Sequence, residues 1–337
     1  MPSVAPRSKA DSGTDLQVRH QLEVPCFLHS VPMVKRLHAS DFDPRALSRR
    51  RGHTVSVCLP AHDEAMTVGV IVEAVREELM ERHPLVDELI VVDDGSTDET
   101  ASIASRAGAK VVAVDEVLPD LPRGSGKGNA LWKSLHVSSG EIVCWIDADI
   151  RNFSPHFVTG LVGPLLTDEA IAFTKGFYRR PIHGSPTGGG RVTELLVRPM
   201  LSQLFPELTT VVQPLAGEYA GRRDVLETIP FVEGWGVEIG MLIDVARAAG
   251  LDALAQVDLG VREHRNRPLD ELGPQALAVL VTVLRRAGLT SNADALAALR
   301  RFDDDLREEV VAVETRERPP IAGLAAYTTR SGRELSA

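Results

Sequence analysis

The chain has 337 residues, of which 44% are hydrophobic and 25% are charged, proportions typical of globular rather than disordered proteins. Its formal net charge of -10 argues against a nucleic-acid-binding protein, because such proteins usually carry a basic excess. The three cysteines form no disulfide framework, residues 1–15 do not resemble a signal peptide, and the longest apolar run, 276–284, is too short to span a membrane. We therefore expect a cytoplasmic protein.

Residues 1–51 are polar and mixed in charge, which predicts an N-terminal arm or tail. Over residues 52–150, short β-branched runs alternate with segments of helical periodicity. The predicted elements, in chain order, are a strand at 54–60, a helix at 64–82, a strand at 87–94, a helix after Gly95 with Ser96 or Thr97 as its N-cap, and strands at 110–114 and 141–147. This alternation is typical of a doubly wound, mostly parallel α/β sheet, whose ligands bind beyond the carboxyl ends of the strands.

The remainder of the chain has a less regular pattern. Over residues 151–314, a glycine-rich stretch at 187–191 precedes an apolar, helix-like run, and residues 237–250 and 273–300 are predicted to be helices. Residues 315–337 are rich in charge and proline, which predicts a loosely ordered tail.

Two aspartates follow the strand at 141–147, in the sequence Asp147-Ala-Asp149. Residues two apart in an extended backbone point the same way, so the two carboxylates can converge. Such a pair suits a hard divalent cation that is bound jointly with a diphosphate. The alternative is an ordinary solvated strand end. The position after a buried strand favours the metal site.

The ends of two other predicted strands and a glycine-rich stretch offer contacts for a nucleotide. Acid and small residues at Pro60–Glu64 and Val92–Ser96 suit a ribose or a base, although turn and helix-cap chemistry explains them equally well. The glycines of Arg123–Asn129 expose N–H groups beside Lys127, which suits a diphosphate, and the alternative is a flexible surface loop.

Candidate acceptor and catalytic residues lie later in the chain. Three glycines before Arg191 favour an anion site at a helix start, or else a plain helix-entry loop. Glu238 lies in an apolar context, where a carboxylate needs a functional role or a partner such as a buried arginine. His264 is a candidate metal ligand with Asp149, although a lone histidine is more often structural.

These motifs together resemble one family. In chain order over residues 52–273 they read PAHDE, VVDDGSTDET, GKGNAL, IDADI, GGGRVTEL, QPLAGEY, GWGVEIG and EHRNRPLDELG. This ordered set is similar to that of the glucosyl-3-phosphoglycerate synthases, which are retaining glycosyltransferases of the GT-A fold. The resemblance implies transfer of glucose from UDP-glucose to D-3-phosphoglycerate, the first step toward glucosylglycerate and methylglucose lipopolysaccharides. It also implies a homodimer, with the C-terminal helices as a candidate interface.

The resemblance assigns a role to each matching residue. For the nucleotide sugar these are Pro60, Ala61, Glu64, Asp94, Lys127 and Asp147; for the acceptor, in region 151–314, they are Gly190, Arg191, Thr193 and Asn266; for Mg²⁺ or Mn²⁺ they are Asp149 and His264. Glu238 and Asp149 are the implied catalytic residues. The chain departs from the family at Asp94, where a serine is common, and in the short segment between Tyr178 and Gly188.

The implied mechanism is a front-face displacement with retention at the anomeric carbon, and a covalent route through Glu238 is the less favoured alternative. The nearest rival function is mannosyl-3-phosphoglycerate synthesis from GDP-mannose. Two others are an inverting glycosyltransferase and a nucleotide-sugar-binding protein without catalysis. The presence of both Asp149 and Glu238 argues against the last.

Overall fold

A computed structural model describes residues 33–50, 52–182, 185–188, 190–263, 269–290, 297–303 and 305–331. The strands are β1 (Lys35–His38), β2 (Val55–Ala61), β3 (Glu88–Asp93), β4 (Lys110–Ala113), β5 (Ile142–Trp145), β6 (Phe173–Arg179), β7 (Pro181–Ile182), β8 (Ser185–Gly188), β9 (Tyr219–Arg222), β10 (Phe231–Val232), β11 (Leu254–Val261), β12 (Ala297–Phe302), β13 (Glu308–Val313) and β14 (Glu317–Arg318). The α-helices are α1 (Pro44–Arg50), α2 (Val68–Val75), α3 (Thr100–Ala107), α4 (Gly126–Val137), α5 (His156–Thr167), α6 (Arg198–Leu204), α7 (Arg223–Leu226), α8 (Val237–Ala249), α9 (Leu269–Arg286) and α10 (Ala325–Ser331). A π-helical turn extends α2 over Arg76–Arg82, and another precedes α6 at Thr193–Val197.

The central sheet has the strand order β1-β11-β6-β9-β5-β2-β3-β4. Every neighbouring pair is parallel except those of β9, which runs antiparallel to both β5 and β6. The predicted α/β class is therefore confirmed, as a mostly parallel sheet with helices on both faces. Among the described residues, no helix is both long and apolar enough to cross a lipid bilayer.

The strands are apolar on both faces because helices cover both sides of the sheet. On β5, Ile142 and Cys144 face a core with α2, α3 and α5, whereas Val143 and Trp145 face a second core with α4, α8 and α9. Successive side chains of a strand point to opposite faces, so the continuous apolar runs of the sequence fill two cores. The polar strand ends are left at the edge of the sheet.

The predicted helix at 273–300 is wrong in its second half. Helix α9 ends at Arg286, and Gly288 adopts a positive φ of 72° that ends the helix. Residues 297–302 form β12, which pairs antiparallel with β13. Side-chain exposure alternates along β12, as expected for a hairpin with one face against α9.

Parts of the two predicted terminal regions are ordered in the structure, whereas residues 1–32 and 332–337 lie outside the described residues. Residues 33–50, assigned to an arm, form α1 and β1, and β1 pairs in parallel with β11 as an edge strand of the sheet. Residues 315–331, assigned to a loose tail, are packed: β14 pairs with β10, and Ile321 and Tyr327 are buried. The charged, proline-rich composition of residues 315–337 predicted a loose tail, because composition does not show that single apolar residues such as Ile321 and Tyr327 are buried.

Candidate active site

The ends of β2 and β3 are locked together by side-chain hydrogen bonds. Asp63 adopts a left-handed backbone conformation, with φ of 56°, and its Oδ1 accepts hydrogen bonds from the N–H groups of Thr97 (2.7 Å) and Asp98 (3.3 Å). In return, Ser96 Oγ accepts a hydrogen bond from the Asp63 N–H at 3.0 Å. These hydrogen bonds lower the pKa of Asp63. For Asp63 and Ser96, these contacts are the turn chemistry considered as the alternative from sequence.

The N-cap predicted for α3 is also wrong. The helix begins at Thr100, after the residues that contact Asp63. Asp98 Oδ1 accepts a hydrogen bond from the Thr100 N–H at 2.9 Å, so Asp98 satisfies the first free N–H group instead of Ser96 or Thr97.

A cleft of about 300 Å³ lies at the carboxyl ends of β2, β3 and β5. Every residue that was predicted to bind the nucleotide sugar lines it, together with one predicted metal ligand: Pro60, Ala61, Glu64, Asp94, Lys127, Asp147 and Asp149. His62, Gly234 and Trp235 also line the cleft and were not predicted. The nucleotide contacts of the predicted residues stay a prediction, but the structure brings those residues together on one concave surface.

Lys127 lies in the first turn of α4, which begins at Gly126 within the glycine-rich stretch Arg123–Asn129. A Cβ on Gly128 would lie 1.8 Å from the Val232 carbonyl oxygen, so glycine allows this turn to pack directly on β10. The Gly126 N–H at the helix start donates a hydrogen bond to Asp94. Burial nevertheless raises the pKa of Asp94. The glycines thus allow close helix packing rather than loop flexibility.

The Lys127 ammonium is shared by two carboxylates. Its Nζ lies 2.5 Å from Asp147 Oδ1 and 2.8 Å from Glu238 Oε1. Burial opposes the charge, but the two carboxylates outweigh it and raise the pKa of Lys127 well above its usual range. Glu238 lies in the first turn of α8, where the helix dipole favours a negative charge. Its partner is therefore a lysine of the cleft rather than the arginine considered from sequence.

Arg262, directly after β11, is the main site residue that the sequence analysis missed. Its Nη2 lies 2.8 Å from Asp147 Oδ2 and 2.6 Å from Asp149 Oδ1, and its Nε lies 2.9 Å from Glu218 Oε1. Burial alone would raise the pKa of Asp147, but Lys127 and Arg262 hold it well below its usual range. The signal was available, because Arg262 follows the end of a parallel strand, where ligand-binding residues gather.

A buried hydrogen-bonded chain lies behind Arg262. The fully buried Glu218 accepts a hydrogen bond from the Tyr178 hydroxyl at 2.6 Å, and that hydroxyl accepts one from Arg180 at 2.8 Å. The preceding residue, Gly217, lies against the cleft, because a Cβ there would be 2.2 Å from Asp147 Oδ2. These contacts fix the positions of Arg262 and Asp147.

The carboxylates of Asp147 and Asp149 fit a divalent cation. Burial raises the pKa of Asp149, the charge of Asp147 adds to the shift, and Arg262 offsets it only in part. The charge of Arg262 therefore does not fully offset the effects of burial and of Asp147 on the Asp149 carboxylate. Within the described part of the chain, no group of three or more His, Cys, Asp or Glu side chains is arranged for a metal, and the predicted ligand His264 lies outside that part. Two carboxylates leave positions for phosphate oxygens, as Mg²⁺ prefers.

The predicted acceptor residues begin the π-helical turn before α6. Gly190 has a φ of 83°, a left-handed conformation that favours glycine, and its carbonyl accepts a hydrogen bond from the Glu194 N–H at 3.0 Å. Thr193 is buried and Arg191 is half-buried. The turn packs against α9. Asn266 lies outside the described residues, so the acceptor assignment as a whole stays a prediction.

Comparisons with known proteins agree on one family. The sequence model of glycosyl transferase family 2 matches residues 56–229. The chain is 48% identical to the glucosyl-3-phosphoglycerate synthase of Mycolicibacterium smegmatis, over 82% of this chain and 91% of the relative. It is 44% identical to that of Petrotoga mobilis, over 86% of this chain and 92% of the relative.

Solved structures show the same similarity. The crystal structure of the Mycobacterium tuberculosis glucosyl-3-phosphoglycerate synthase with Mn²⁺, UDP-glucose and phosphoglyceric acid superposes with a TM-score of 0.75 and 45% identity, over 86% of this chain and 98% of that chain. The same enzyme with Mn²⁺, UDP and glucosyl-3-phosphoglycerate gives a TM-score of 0.75 and 44% identity, with the same coverage. The chain therefore belongs to glycosyl transferase family 2, with the GT-A fold, and within it to the glucosyl-3-phosphoglycerate synthases.

Proposed function

We propose that this chain transfers glucose from UDP-glucose to D-3-phosphoglycerate with retention, giving glucosyl-3-phosphoglycerate and UDP. The family membership supports the reaction, and the 44–48% identity extends over most of the chain. The single observation that carries the assignment is the Lys127 ammonium, held between Asp147 and Glu238 inside the cleft. That arrangement offers positive charge to a leaving diphosphate and a carboxylate to the sugar.

The donor occupies the cleft in this proposal. Pro60, Ala61 and Glu64 contact the nucleotide at the end of β2, and Asp94 lies at the end of β3 beside the start of α4. Asp147 binds the ribose or the sugar. Asp149, with His264, holds Mg²⁺ or Mn²⁺ in this proposal. The structures of the relative with Mn²⁺ and with Mg²⁺ support the choice of metal. When bound, the cation supplies charge neutralisation to the diphosphate.

The chemistry is a displacement on one face of the sugar. The anomeric carbon–oxygen bond to UDP breaks while the acceptor hydroxyl forms its bond from the same side, and the hydroxyl proton passes to the departing diphosphate. Lys127 stabilises the charge that develops on that diphosphate. Glu238 orients the sugar and stabilises positive charge at the anomeric carbon. Its ion pair with Lys127 makes it a poor nucleophile, which supports the front-face route over the covalent one.

The acceptor site is proposed at the start of the π-helical turn. Arg191 suits a phosphate or carboxylate because guanidinium groups form paired hydrogen bonds with both. Gly190 allows the backbone to turn there, Thr193 offers a hydroxyl, and Asn266 completes the set. An acceptor-binding test is Arg191→Lys, which keeps the charge but loses the fork. It should raise the KM for 3-phosphoglycerate more than that for UDP-glucose.

The catalytic role of Glu238 is tested with Glu238→Gln. The substitution keeps the shape of the side chain and removes the charge, so turnover should fall severely while the affinity for UDP stays nearly unchanged. UDP release measures turnover, and calorimetry measures UDP binding. Wild-type turnover in the variant would contradict the assignment.

Donor choice separates the proposal from its rivals. Purified protein is assayed with 3-phosphoglycerate and either UDP-glucose or GDP-mannose. We expect turnover with UDP-glucose, and a preference for GDP-mannose would favour mannosyl transfer instead. The anomeric configuration of the product, read by NMR, distinguishes retention from inversion. Binding without turnover would identify a non-catalytic nucleotide-sugar-binding protein.

Two further proposals concern the oligomeric state and the cellular compartment. A homodimer is supported by exposed apolar side chains on the β12–β13 hairpin, namely Phe302, Leu306 and Val310, since such groups favour association with a second copy. Light scattering after size-exclusion chromatography tests this, and Phe302→Arg should shift a dimer toward monomer. A reducing cytoplasm is supported by Cys58 and Cys144, which are buried free thiols.

A further inference from the structure

Residues 314–321, which we call the C-terminal strap, contact α4 and the segment that leads into α8. Within the strap, Arg318 is buried, with only 7% of its side chain exposed, and its Nε lies 2.8 Å from Glu233 Oε1. The same Nε donates to Asn129 Oδ1 at 3.0 Å, and Nη2 donates to the Pro122 carbonyl at 2.9 Å. Its guanidinium also lies 5.2 Å from the ring centroid of Trp132. One side chain thus joins three separate parts of the chain.

Two of those parts carry Lys127, which lines the cleft, and Glu238, which contacts Lys127 from beneath the cleft lining. Asn129 lies in the first turn of α4 with Lys127, and Pro122 lies in the segment that leads into that helix. Glu233 directly precedes the turn that leads into α8 and Glu238. Glu233 Oε2 also accepts a hydrogen bond from the Ser125 N–H at 3.3 Å, which connects the two segments directly.

The backbone at Gly124 is fitted closely to this network. A Cβ there would lie 2.0 Å from Arg318 Nη2 and 2.5 Å from both Asn129 Oδ1 and Glu233 Oε1. No side chain larger than hydrogen fits without moving the buried charges. The Arg318–Glu233 pair therefore fixes the position of the backbone at Gly124, just before α4 begins.

The strap itself is held on both sides. Val232 and Phe231 of β10 pair antiparallel with Glu317 and Arg318 of β14. The Glu233 N–H donates to the Arg316 carbonyl at 2.8 Å, which continues the pairing past β10. Trp132 Nε1 of α4 donates to the Pro319 carbonyl at 2.8 Å. Arg318 consequently enters the network from a fixed backbone.

We propose that Arg318 is a positioning residue for sugar transfer: through Glu233 and Asn129 it holds the start of α4 against the start of α8, and so sets Lys127 between Asp147 and Glu238. The inference rests on the roles proposed above for Lys127 and Glu238. Arg318 does not line the cleft, so it acts on the reaction only through these residues. Because the diphosphate gains charge as it leaves, a displaced Lys127 affects turnover more than donor binding.

The test compares two equally buried arginines. Arg223 has the same side-chain exposure as Arg318, 7%, and its nearest carboxylate, Glu227, matches Glu233 at 4%. It follows β9 at the opposite end of β5 from the cleft, where its N–H donates to the Glu141 carbonyl. Arg318→Gln and Arg223→Gln therefore each remove a guanidinium of the same exposure. Arg223 donates four hydrogen bonds and lies 3.9 Å from its carboxylate, whereas Arg318 donates two and lies 2.8 Å from Glu233, and only Arg318 is connected to the start of α4. Gly124→Ala perturbs the Arg318 network without removing a charge.

We expect Arg318→Gln and Gly124→Ala to lower kcat roughly 10- to 100-fold, as for a displacement of catalytic groups by about 1 Å. The KM for UDP-glucose should stay within about threefold of the wild-type value, because the proposed nucleotide contacts at the ends of β2 and β3 do not involve Arg318. Arg223→Gln should lower the melting temperature but leave kcat within about threefold of wild type. Circular dichroism establishes which variants are folded. If Arg318→Gln does not fold, Gly124→Ala decides.

Three outcomes would overturn the proposal: a folded Arg318→Gln or Gly124→Ala with near-wild-type kcat, a loss seen mainly as a raised donor KM, or an equal loss of kcat in Arg223→Gln. Lys127→Met is measured beside them. Wild-type turnover in Lys127→Met would refute the proposed role of Lys127 itself, and with it the positioning role. An inactive Lys127→Met beside fully active Arg318→Gln and Gly124→Ala would refute only the positioning role.

Discussion

Gly217 offers a steric probe of where the Asp147 carboxylate must lie. The residue immediately precedes Glu218 and β9, and the space beside its Cα is filled by Asp147. A Cβ placed there would lie 2.2 Å from Asp147 Oδ2 and 2.6 Å from both Cγ and Oδ1. Gly217→Ala adds one methyl group without altering any charged residue. It therefore tests the position of the carboxylate, whereas a substitution of Asp147 would test its presence.

The size of the effect follows from these distances. Carbon and oxygen atoms pack at about 3.5 Å, so the carboxylate must retreat by roughly 1 Å. Such a shift breaks the 2.5 Å contact with Lys127 and the 2.8 Å contact with Arg262. A displacement of that size at a reacting centre costs on the order of 100-fold in turnover, or about 2.7 kcal/mol of activation free energy. We expect kcat to fall by this factor.

UDP release at saturating substrates measures the effect, and Gly221→Ala is the matched control. Gly221 lies in β9, and its added Cβ would be 3.0 Å from Phe173 Cδ2 and 3.1 Å from a Leu226 methyl group. These apolar contacts can relax by a few tenths of an ångström away from the cleft, so the control should lose stability rather than turnover. If Gly217→Ala, folded and monodisperse, turned over like wild type, the inferred importance of the Asp147 position would be refuted.

Three other predictions concern protonation and the C-terminus. Burial and the Asp147 charge raise the pKa of Asp149, and only the carboxylate binds a cation. In His264→Gln, which removes the titration of the other proposed ligand, Mn²⁺ affinity measured by calorimetry without nucleotide should decline on acidification before pH reaches the usual aspartate range, and a decline that begins only near about pH 4 would contradict this. Burial lowers the pKa of Lys175 to about 7, so its proton destabilises the folded state at neutral pH. The free energy of unfolding should rise above pH 7 by up to about 1.4 kcal/mol per pH unit, and Lys175→Met should remove that rise in urea titrations; an unchanged slope would count against it. Deleting residues 315–337 should sharply lower the melting temperature, because Trp132 loses its hydrogen bond to the Pro319 carbonyl and Arg223 loses its hydrogen bond to the Tyr327 hydroxyl. An unchanged melting temperature would mean that the segment does not stabilise the fold.

The sequence by itself determined half of the central sheet, strands β2 to β5, and the edge where the site lies, whereas β1, β6, β9 and β11 were not predicted. β-branched, apolar runs such as Val55–Leu59 and Leu89–Val92 predicted strands of a parallel sheet, and the polar residues at their ends predicted the position of the cleft. These inferences succeeded because they depend on local periodicity and on the rule that parallel strands end at one edge. The ordered motifs also led correctly to the family.

Only the tertiary structure decided which charges meet. Arg262 contacts Asp149 across 113 positions of sequence, and Arg318 contacts Asn129 across 189. The position of Arg262 after a strand makes it a candidate site residue, but no local pattern shows which carboxylates it contacts or distinguishes Arg318 from exposed arginines, because these roles arise from burial beside particular partners. The same reason explains the errors at the C-terminus, where Arg318 and Tyr327 are ordered by long-range packing that the charged, proline-containing sequence around them does not indicate.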